Sequence, residues 1–383
     1  MDCIGELDDP RQASNGTRHD FREILVISIC AMLSNADSFD DIALWGRIKE
    51  DWLRRFLTLK NSIPSHDTFD RVFRAIDPAK FEAVFRQWVG GIVTALGGQI
   101  AVDGKTLRGS SDDGPPVHMV SAFVTELGLA LGQEKVSGKS NEITAIPVLL
   151  EALYLKGFLV SIDAMGCQKE IATTITGKGG DYLLAVKGNQ PSLLEAIETV
   201  FIDQQADTTK HKHVESGHGR VVCQMARVLP AQGIVDATVW AGCQTIGRID
   251  SYRVVGGKPS ELEQRYYISS RKLSAEELAV AVRSHWAVEN QLHWVLDVNF
   301  GEDASMVRKD NAPQNLSMLR KIVLTLIRNE RKIVGWDHDS RLQDLMDNVL
   351  WSDIRLAAQT NAALQELLDK AIILYRLSTK NPK

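Results

Sequence analysis

Between residues 99 and 203 the chain switches between two hydrophobic periods in an order that few folds accept. Ile100 to Leu107 reads as a strand, and Val117 to Thr125 with Leu129 to Glu134 reads as a hairpin turning at Glu126-Leu127-Gly128. Asn141 to Leu155 is apolar at helical spacing with Asn141 as its cap, and Phe158 to Asp163 is the β-branched run of a buried strand. Gln168 to Thr176 is a helix, Tyr182 to Val186 a strand, and Pro191 to Asp203 a helix with proline in its first turn. Three strands followed by helix, strand, helix, strand, helix predict an α/β mixed sheet with an antiparallel half and a parallel half. In such a sheet, as in the ribonuclease-H-like fold, the ends of strands one and four lie side by side.

Two carboxylates close those two strands. Asp103 follows Ile100-Ala101-Val102, and Asp163 follows Val160-Ser161-Ile162; a third, Glu289, sits in the helix-like stretch His285-Trp286-Ala287-Val288-Glu289-Asn290. An aspartate at a strand end is often only a turn former or cap. Two on adjacent strand ends, with a glutamate from a packed helix, also match what two-metal phosphoryl transfer requires: oxygen ligands brought from distant segments to one rigid edge, with positions left for phosphate and water. Asp103 would then bridge both metals, and Asp163 and Glu289 would each complete one. Asp103-Gly104-Lys105-Thr106 is not a phosphate loop, because the position that must be glycine is Gln99.

The flanks are of other kinds. Residues 1–98 read as a helical domain: Phe21 to Leu33 is strongly apolar, and Asp40 to Leu57 has helical spacing. Pro64 then breaks the chain and Ser65 can cap a helix through Ile76 bearing Arg71 and Arg74. That is either a helix-turn-helix reader of DNA ends or an ordinary helical hairpin with solvated arginines. Residues 204–272 read as a β-rich insertion, with a polar loop over 204–216 and strands at Arg220 to Leu229, Ala237 to Ile246, Ser251 to Val255 and Gln264 to Ser269. Helical pattern returns over 273–383. There, His285, Glu289 and His293 are spaced to share one helix face, but the His-Glu-x-x-His order of zinc sites is absent, and the imidazoles fit phosphate or substrate contact better. His211, His213 and His218 read as solvated loop side chains. Arg320, Lys321, Arg328, Arg331 and Lys332 fall on one side of a helix from Leu319 to Ile333, as a solvated face or a phosphate-backbone stripe. Lys105, Arg108 and Lys187 add cations near the strand ends.

Bulk properties exclude little. At 383 residues, 44% hydrophobic and 24% charged, the chain has the composition of a globular protein of two or three domains. Ile24 to Leu33 is too short for a membrane span of roughly 20 residues and is preceded by acids, unlike a signal peptide. Five cysteines without C-x-x-C spacing suit a reducing cytoplasm. A net charge of −5 argues mildly against nucleic acid, unless the basic residues are clustered.

Longer words carry a resemblance. Asp103-Gly104-Lys105-Thr106-Leu107-Arg108-Gly109, Ser161-Ile162-Asp163-Ala164-Met165-Gly166-Cys167-Gln168, Asp181 to Gln190, Arg283 to Trp294, Phe300-Gly301-Glu302-Asp303 and Asn311-Ala312-Pro313 resemble the DDE transposases of bacterial insertion sequences, in the H-repeat-associated group linked to Rhs elements. The resemblance runs over nearly the whole chain. It implies a ribonuclease-H-like catalytic domain with a β insertion and an N-terminal domain for end recognition. It also implies Asp103, Asp163 and Glu289 as catalytic metal ligands, with Mg²⁺ as cofactor and Mn²⁺ as the alternative ion. The partners implied are double-stranded DNA (terminal inverted repeats and target) and a second copy of the chain in a homodimer. An inactive end-binding protein and a structure-specific nuclease are the alternative activities. One departure is clear: where the wider superfamily carries Tyr, Arg, Glu and Lys along its glutamate helix, this chain has Val282, His285, Glu289 and Leu296. The expectation is that His285 takes the arginine's phosphate-contact place.

Overall fold

The structure, a computed structural model, describes residues 7–11, 18–93, 98–111, 114–136, 141–203, 209–217, 220–256 and 258–333. The chain runs through α1 (Phe21–Leu33), α2 (Phe39–Ile48), α3 (Glu50–Leu53), α4 (His66–Ala75) and α5 (Pro78–Val93). Then come β1 (Gly98–Leu107), β2 (Val117–Val124), β3 (Leu129–Lys135), α6 (Glu142–Glu151), β4 (Phe158–Ile162), α7 (Lys169–Gly177), β5 (Asp181–Val186) and α8 (Pro191–Asp203). The rest comprises β6 (Thr209–Gly217), β7 (Arg220–Pro230), β8 (Thr245–Val255), β9 (Lys258–Pro259), β10 (Glu263–Ser269), α9 (Ala275–His285), a π-helical segment (Val288–His293), α10 (Trp294–Phe300) and α11 (Ala312–Ile333). The described residues form two compact units: those within 7–91, 106–117 and 293–333 make one, and those within 92–105 and 118–292 the other. α10 and α11 therefore belong with the N-terminal helices.

The first unit is helical. Asp20 caps α1 by accepting from the amides of Arg22 and Glu23, and the helix is buried almost all round, which explains its lack of polar residues. Among the described residues no helix is long and apolar enough to cross a membrane. α4 packs on α2 and α11. Asn315 on α11 donates to the carbonyls of Phe73 and Ile76 at 2.7 and 3.0 Å, so the end of α4 has its orphan acceptors satisfied by the neighbouring helix. The segment before α11 folds back onto Arg108-Gly109: Arg308 Nε donates to the Gly109 carbonyl at 3.0 Å, and Arg108 pairs with Asp303 at 3.4 Å. A Cβ on Gly109 would overlap the backbone oxygen of Ser305 and stand 3.1 Å from that of Asp303. Backbone cannot swing aside as a side chain can. Gly109→Ala is expected to destabilise this unit by about 1–3 kcal/mol, read as a lowered urea midpoint.

The second unit is built on one sheet of order β3-β2-β1-β4-β5-β10-β8-β7-β6, with β9 beside β8. β1, β4 and β5 are parallel, and β2 and β3 pair antiparallel, so the mixed sheet expected from the element order is present. The insertion strands join it directly: β10 pairs antiparallel with β5 and continues to β8 and β7. Two local expectations fail here. The polar run 209–217 is an edge strand, β6, and not a loop. Ala237 to Gln244 is not a strand: Asp236 Oδ1 accepts from the amide and hydroxyl of Thr238, the Trp240 amide bonds the Asp236 carbonyl at 2.8 Å, and the chain turns. β8 then runs unbroken from Thr245 to Val255.

Alternation along the strands assigns the faces. Opposite residues share a face, so the pairs Ala101–Ser161, Ser161–Leu183, Ala185–Tyr267 and Tyr267–Gly247 place one residue set on one side of the sheet. α9 lies on that side, where Leu278, Ala279 and Val282 bury against Leu159, Leu183, Ile249 and Tyr267. The fit is close enough that a Cβ on Gly247 would overlap Leu278. α8 covers the opposite face, with Phe201 6.3 Å from Tyr266.

Candidate active site

Val102 stands opposite Ile162 in the parallel register of β1 and β4. Asp103 and Asp163 are the next residues outward, on the face that carries α9, at one edge of the parallel half. They line a cavity of about 230 Å³ together with His285, Trp286 and Glu289 from the far end of α9 and the turn beyond it, and with Lys187 and Arg265 from β5 and β10. The three sequence-predicted carboxylates are thus brought together in one unit.

Each has a distinct setting. Asp163 is exposed and partly a turn former: its Oδ1 accepts from the amides of Met165 at 3.0 Å and Gly166 at 3.4 Å. Asp103 is deeper. Burial pushes its carboxyl up to about 7, opposed by a hydrogen bond from the Gly104 amide and reinforced by the negative charges of Asp163, Glu142 and Glu289. Glu289 is exposed and lies in the π-helical segment. Such wide turns recur where a helix must re-aim a side chain at a functional site.

Polar ties fix the helix that presents Glu289. Gln99 Nε2 donates to the Ala281 carbonyl and to Ser161 Oγ, both at 2.8 Å, and Ser161 Oγ is 3.0 Å from His285 Nδ1. Ser161 Oγ also reaches the Ile100 carbonyl at 3.5 Å, so the imidazole is one partner in a polar chain that joins β1, β4 and α9. Burial lowers the pKa of His285, against the pull of Asp163 and the hydrogen bond at Ser161. The ring is therefore neutral and anchored to the sheet. It lines the cavity beside Glu289.

Behind Asp103 lies a pair that the sequence reading missed. His118 Nε2 and Glu142 Oε1 are 2.7 Å apart, and a Cβ on Gly104 would overlap the Glu142 carboxylate and stand 2.7 Å from His118. A side chain at position 104 would have to displace the Glu142–His118 pair on the opposite face, a close approach that no periodicity signals. Arg265 and Trp286 were also not singled out. Arg265 lies over the Trp286 ring with its Cζ 5.4 Å from the centroid.

Comparison with known proteins agrees with this geometry. Residues 96–326 match the transposase DDE domain, and residues 1–89 match the domain described as DDE_Tnp_1-associated. The chain belongs to the DDE transposase family. A putative transposase, YncI, of Escherichia coli O157:H7 is 40% identical to this transposase over 346 residues, which is 88% of each chain. The H repeat-associated putative transposase YhhI of Escherichia coli K12 is 40% identical over 348 residues, 86% of this chain and 90% of its own. A piggyBac transposase in a synaptic complex with hairpin DNA aligns over 100% of this chain and 80% of its own, at 12% identity and a TM-score of 0.42. That likeness is too loose to bear weight; the strand order and the family match carry the fold.

DDE transposases act on DNA and generally use divalent metal ions. The donor set of this transposase suits such an ion: three carboxylates and no thiolate line the cavity, and hard divalent cations prefer oxygen. Burial first, and the nearby carboxylates second, raise the Asp103 carboxyl, and a dication would offset the second of these. Among the described residues no three His, Cys, Asp or Glu side chains already stand at mutual coordinating distance.

The outer sequence-predicted contacts are dispersed. His293 is 7% exposed and does not line the cavity that holds His285 and Glu289. The π-helical turn breaks the i, i+4, i+8 register that would have aligned all three. Arg320 and Lys321 are each only 2% exposed, so they do not form a solvated stripe. Arg320 Nε donates to the Phe300 carbonyl at 3.3 Å inside the helical unit, with Asp37, Asp297 and Glu302 offsetting its charge. Arg328 is half-buried on the same helix. The side chains of Arg331 and Lys332, residues 334–383 and His218 lie outside the described residues. Arg74 is occupied by Asp310 at 2.6 Å and Asp70 at 3.5 Å, whereas Arg71 on α4 is exposed. Arg108 pairs with Asp303. Lys105 shares the face of Asp103 by alternation but does not line the cavity.

Proposed function

We propose that this cytoplasmic transposase cuts double-stranded DNA at the terminal inverted repeats of an insertion sequence and joins the freed 3′-hydroxyl to target DNA. Asp103, Asp163 and Glu289 are its catalytic carboxylates and the ligands for Mg²⁺, which Mn²⁺ can replace. The observation that carries the reading is the parallel register of β1 and β4. It makes two carboxylates neighbours at one sheet edge, and the π-helical segment after α9 contributes a third to the same cavity. When bound, the ions supply Lewis-acid charge for an in-line displacement at phosphorus.

The protein's own part is positioning. The Gly104 amide fixes the Asp103 carboxyl, the turn amides after Asp163 orient that side chain, and the Gln99–Ser161–His285 chain keeps α9 in place beneath Glu289. Exposed Lys187 and Arg71 are available to the DNA backbone. Two copies of the chain would bring the two element ends together.

The test uses the full chain with duplexes carrying the inverted repeats that flank its gene, in Mg²⁺ or Mn²⁺. The expected results are nicking at the repeat boundary and joining of pre-cut 3′-hydroxyl ends into a plasmid. Binding with no cleavage in either ion would identify an inactive end-binding protein instead. Cleavage without joining of pre-cut ends would identify a structure-specific nuclease.

A further inference from the structure

We propose that Arg265, a strand residue, binds the phosphate of the DNA strand that lies against the three carboxylates, with Trp286 as the platform that orients its guanidinium. The inference rests on the DNA-cutting reading of the site. It starts from charge. The cavity holding Asp103, Asp163 and Glu289 is also lined by Lys187 and Arg265. These two follow the paired residues Val186 and Tyr266 outward on adjoining strands, so both rise from the carboxylate face. A phosphodiester is itself an anion. Entering an acidic pocket, it needs donors already set beside the carboxylates, and a planar fork of N–H groups is the side chain that matches phosphate geometry.

Arg265 is set in that way. Its Cζ lies 5.4 Å from the centre of the Trp286 ring, a cation–π contact that holds the guanidinium over the indole. Its Nε and Nη2 reach the same oxygen of Glu263, at 2.9 and 2.8 Å. The Tyr267 hydroxyl is a further neighbour. A guanidinium has five N–H donors, so these contacts fix its plane and still leave donors for a phosphate.

The platform is tied to the third carboxylate. Trp286 remains 44% exposed and precedes Glu289 by three residues at the end of α9. The guanidinium from β10 and the carboxylate from the helix are therefore referenced to the same turn. Of the α9 residues that line the cavity, Val282 is apolar and His285 is bound to Ser161, while Arg283 in the same turn is not part of the lining. Lys187 is exposed and carries its charge on a flexible stem, which suits general attraction more than orientation. The sheet, through Arg265, thus provides the oriented cation of the cavity.

The test compares Arg265→Gln and Arg265→Lys with the unaltered full chain on an end-labelled terminal-repeat duplex. Arg265→Gln is expected to slow single-turnover cleavage in Mg²⁺ by about 10²-fold or more. Duplex binding, measured without divalent metal, should weaken by less than about tenfold, and the slope of log affinity against log salt should drop by about one. Arg265→Lys, which keeps the charge without the planar fork, should cleave faster than Arg265→Gln but by more than about threefold slower than the unaltered chain, and the urea midpoint of both variants should match it. Cleavage by Arg265→Gln within about threefold of the unaltered chain overturns the inference and leaves the DNA-cutting reading standing. So does an unchanged salt slope with slowing that follows a lowered urea midpoint, because that is a structural role. Failure of the unaltered chain to cut overturns both.

Discussion

Asp103→Ala is expected to reduce Mg²⁺-dependent end cleavage by at least about 10³-fold, equivalent to about 4 kcal/mol of transition-state stabilisation. DNA binding should stay within about threefold, because the surface cations that meet the backbone are untouched. The position is unusually clean for such a test. Burial and three neighbouring carboxylates disfavour the charge of Asp103 in the metal-free fold, so its removal relieves repulsion that offsets the lost acceptor for the Gly104 amide, and the variant should lose no more than about 1 kcal/mol of stability. Loss of cleavage then reports chemistry and not unfolding. Asp163→Ala is a poorer probe, since it also removes the acceptor for the Met165 amide and with it about 1 kcal/mol of turn stability. Gel shifts on the terminal repeat, run beside a cleavage time course, decide the matter. Cleavage by Asp103→Ala within about tenfold of the unaltered chain would remove Asp103 from the catalytic set.

The edge that carries the two aspartates was legible in the sequence because its two determinants are local. Ile100-Ala101-Val102 and Val160-Ser161-Ile162 are short, largely apolar runs of the kind a strand covered on both faces carries, and each is followed by an aspartate. Element order then made those ends neighbours, as the Val102–Ile162 register has them. What escaped depended on tertiary partners. β6 carries lysines and histidines because it is the outer edge strand, where charge discourages further pairing, and its polarity mimics a loop. Ala237 to Gln244 has strand-like composition, yet Asp236 captures the next amides and starts a turn, a side-chain–backbone competition that composition does not weigh. On α11 the cationic side chains Arg320 and Lys321 counted as polar, although the first is buried beside Phe300 with three acids near it. The π-helical turn defeated the histidine spacing, since helical periodicity assumes one rise and one twist throughout. Arg265 was invisible as a site residue because its neighbours Glu263 and Tyr267 describe an ordinary half-exposed strand, and Trp286, which gives it a role, lies elsewhere in the chain.

In the absence of divalent metal, the stability of the second unit is expected to fall as pH rises from about 4 to about 7. The Asp103 carboxyl titrates at about 7 in the fold against 3.8 for an unperturbed aspartate. Between those values the unfolded chain has released a proton that the folded chain retains. The folded state then binds more protons, and stability declines with pH until both forms are ionised. The full effect is at most roughly 4 kcal/mol. His285 acts in the other direction: its lowered pKa adds stability as pH passes through the ordinary imidazole range. The Asp103 contribution is therefore isolated as the difference between the unaltered chain and Asp103→Asn, from urea melts at closely spaced pH values. Mg²⁺ binding must expel the Asp103 proton, so Mg²⁺ affinity should rise with pH and level off above about 7. Added Mg²⁺ should accordingly stabilise the unaltered chain most at neutral and higher pH, and Asp103→Asn little at any pH. An equal pH slope in both proteins, or equal protection by Mg²⁺, would mean that the Asp103 carboxyl is neither strained by its neighbours nor a ligand.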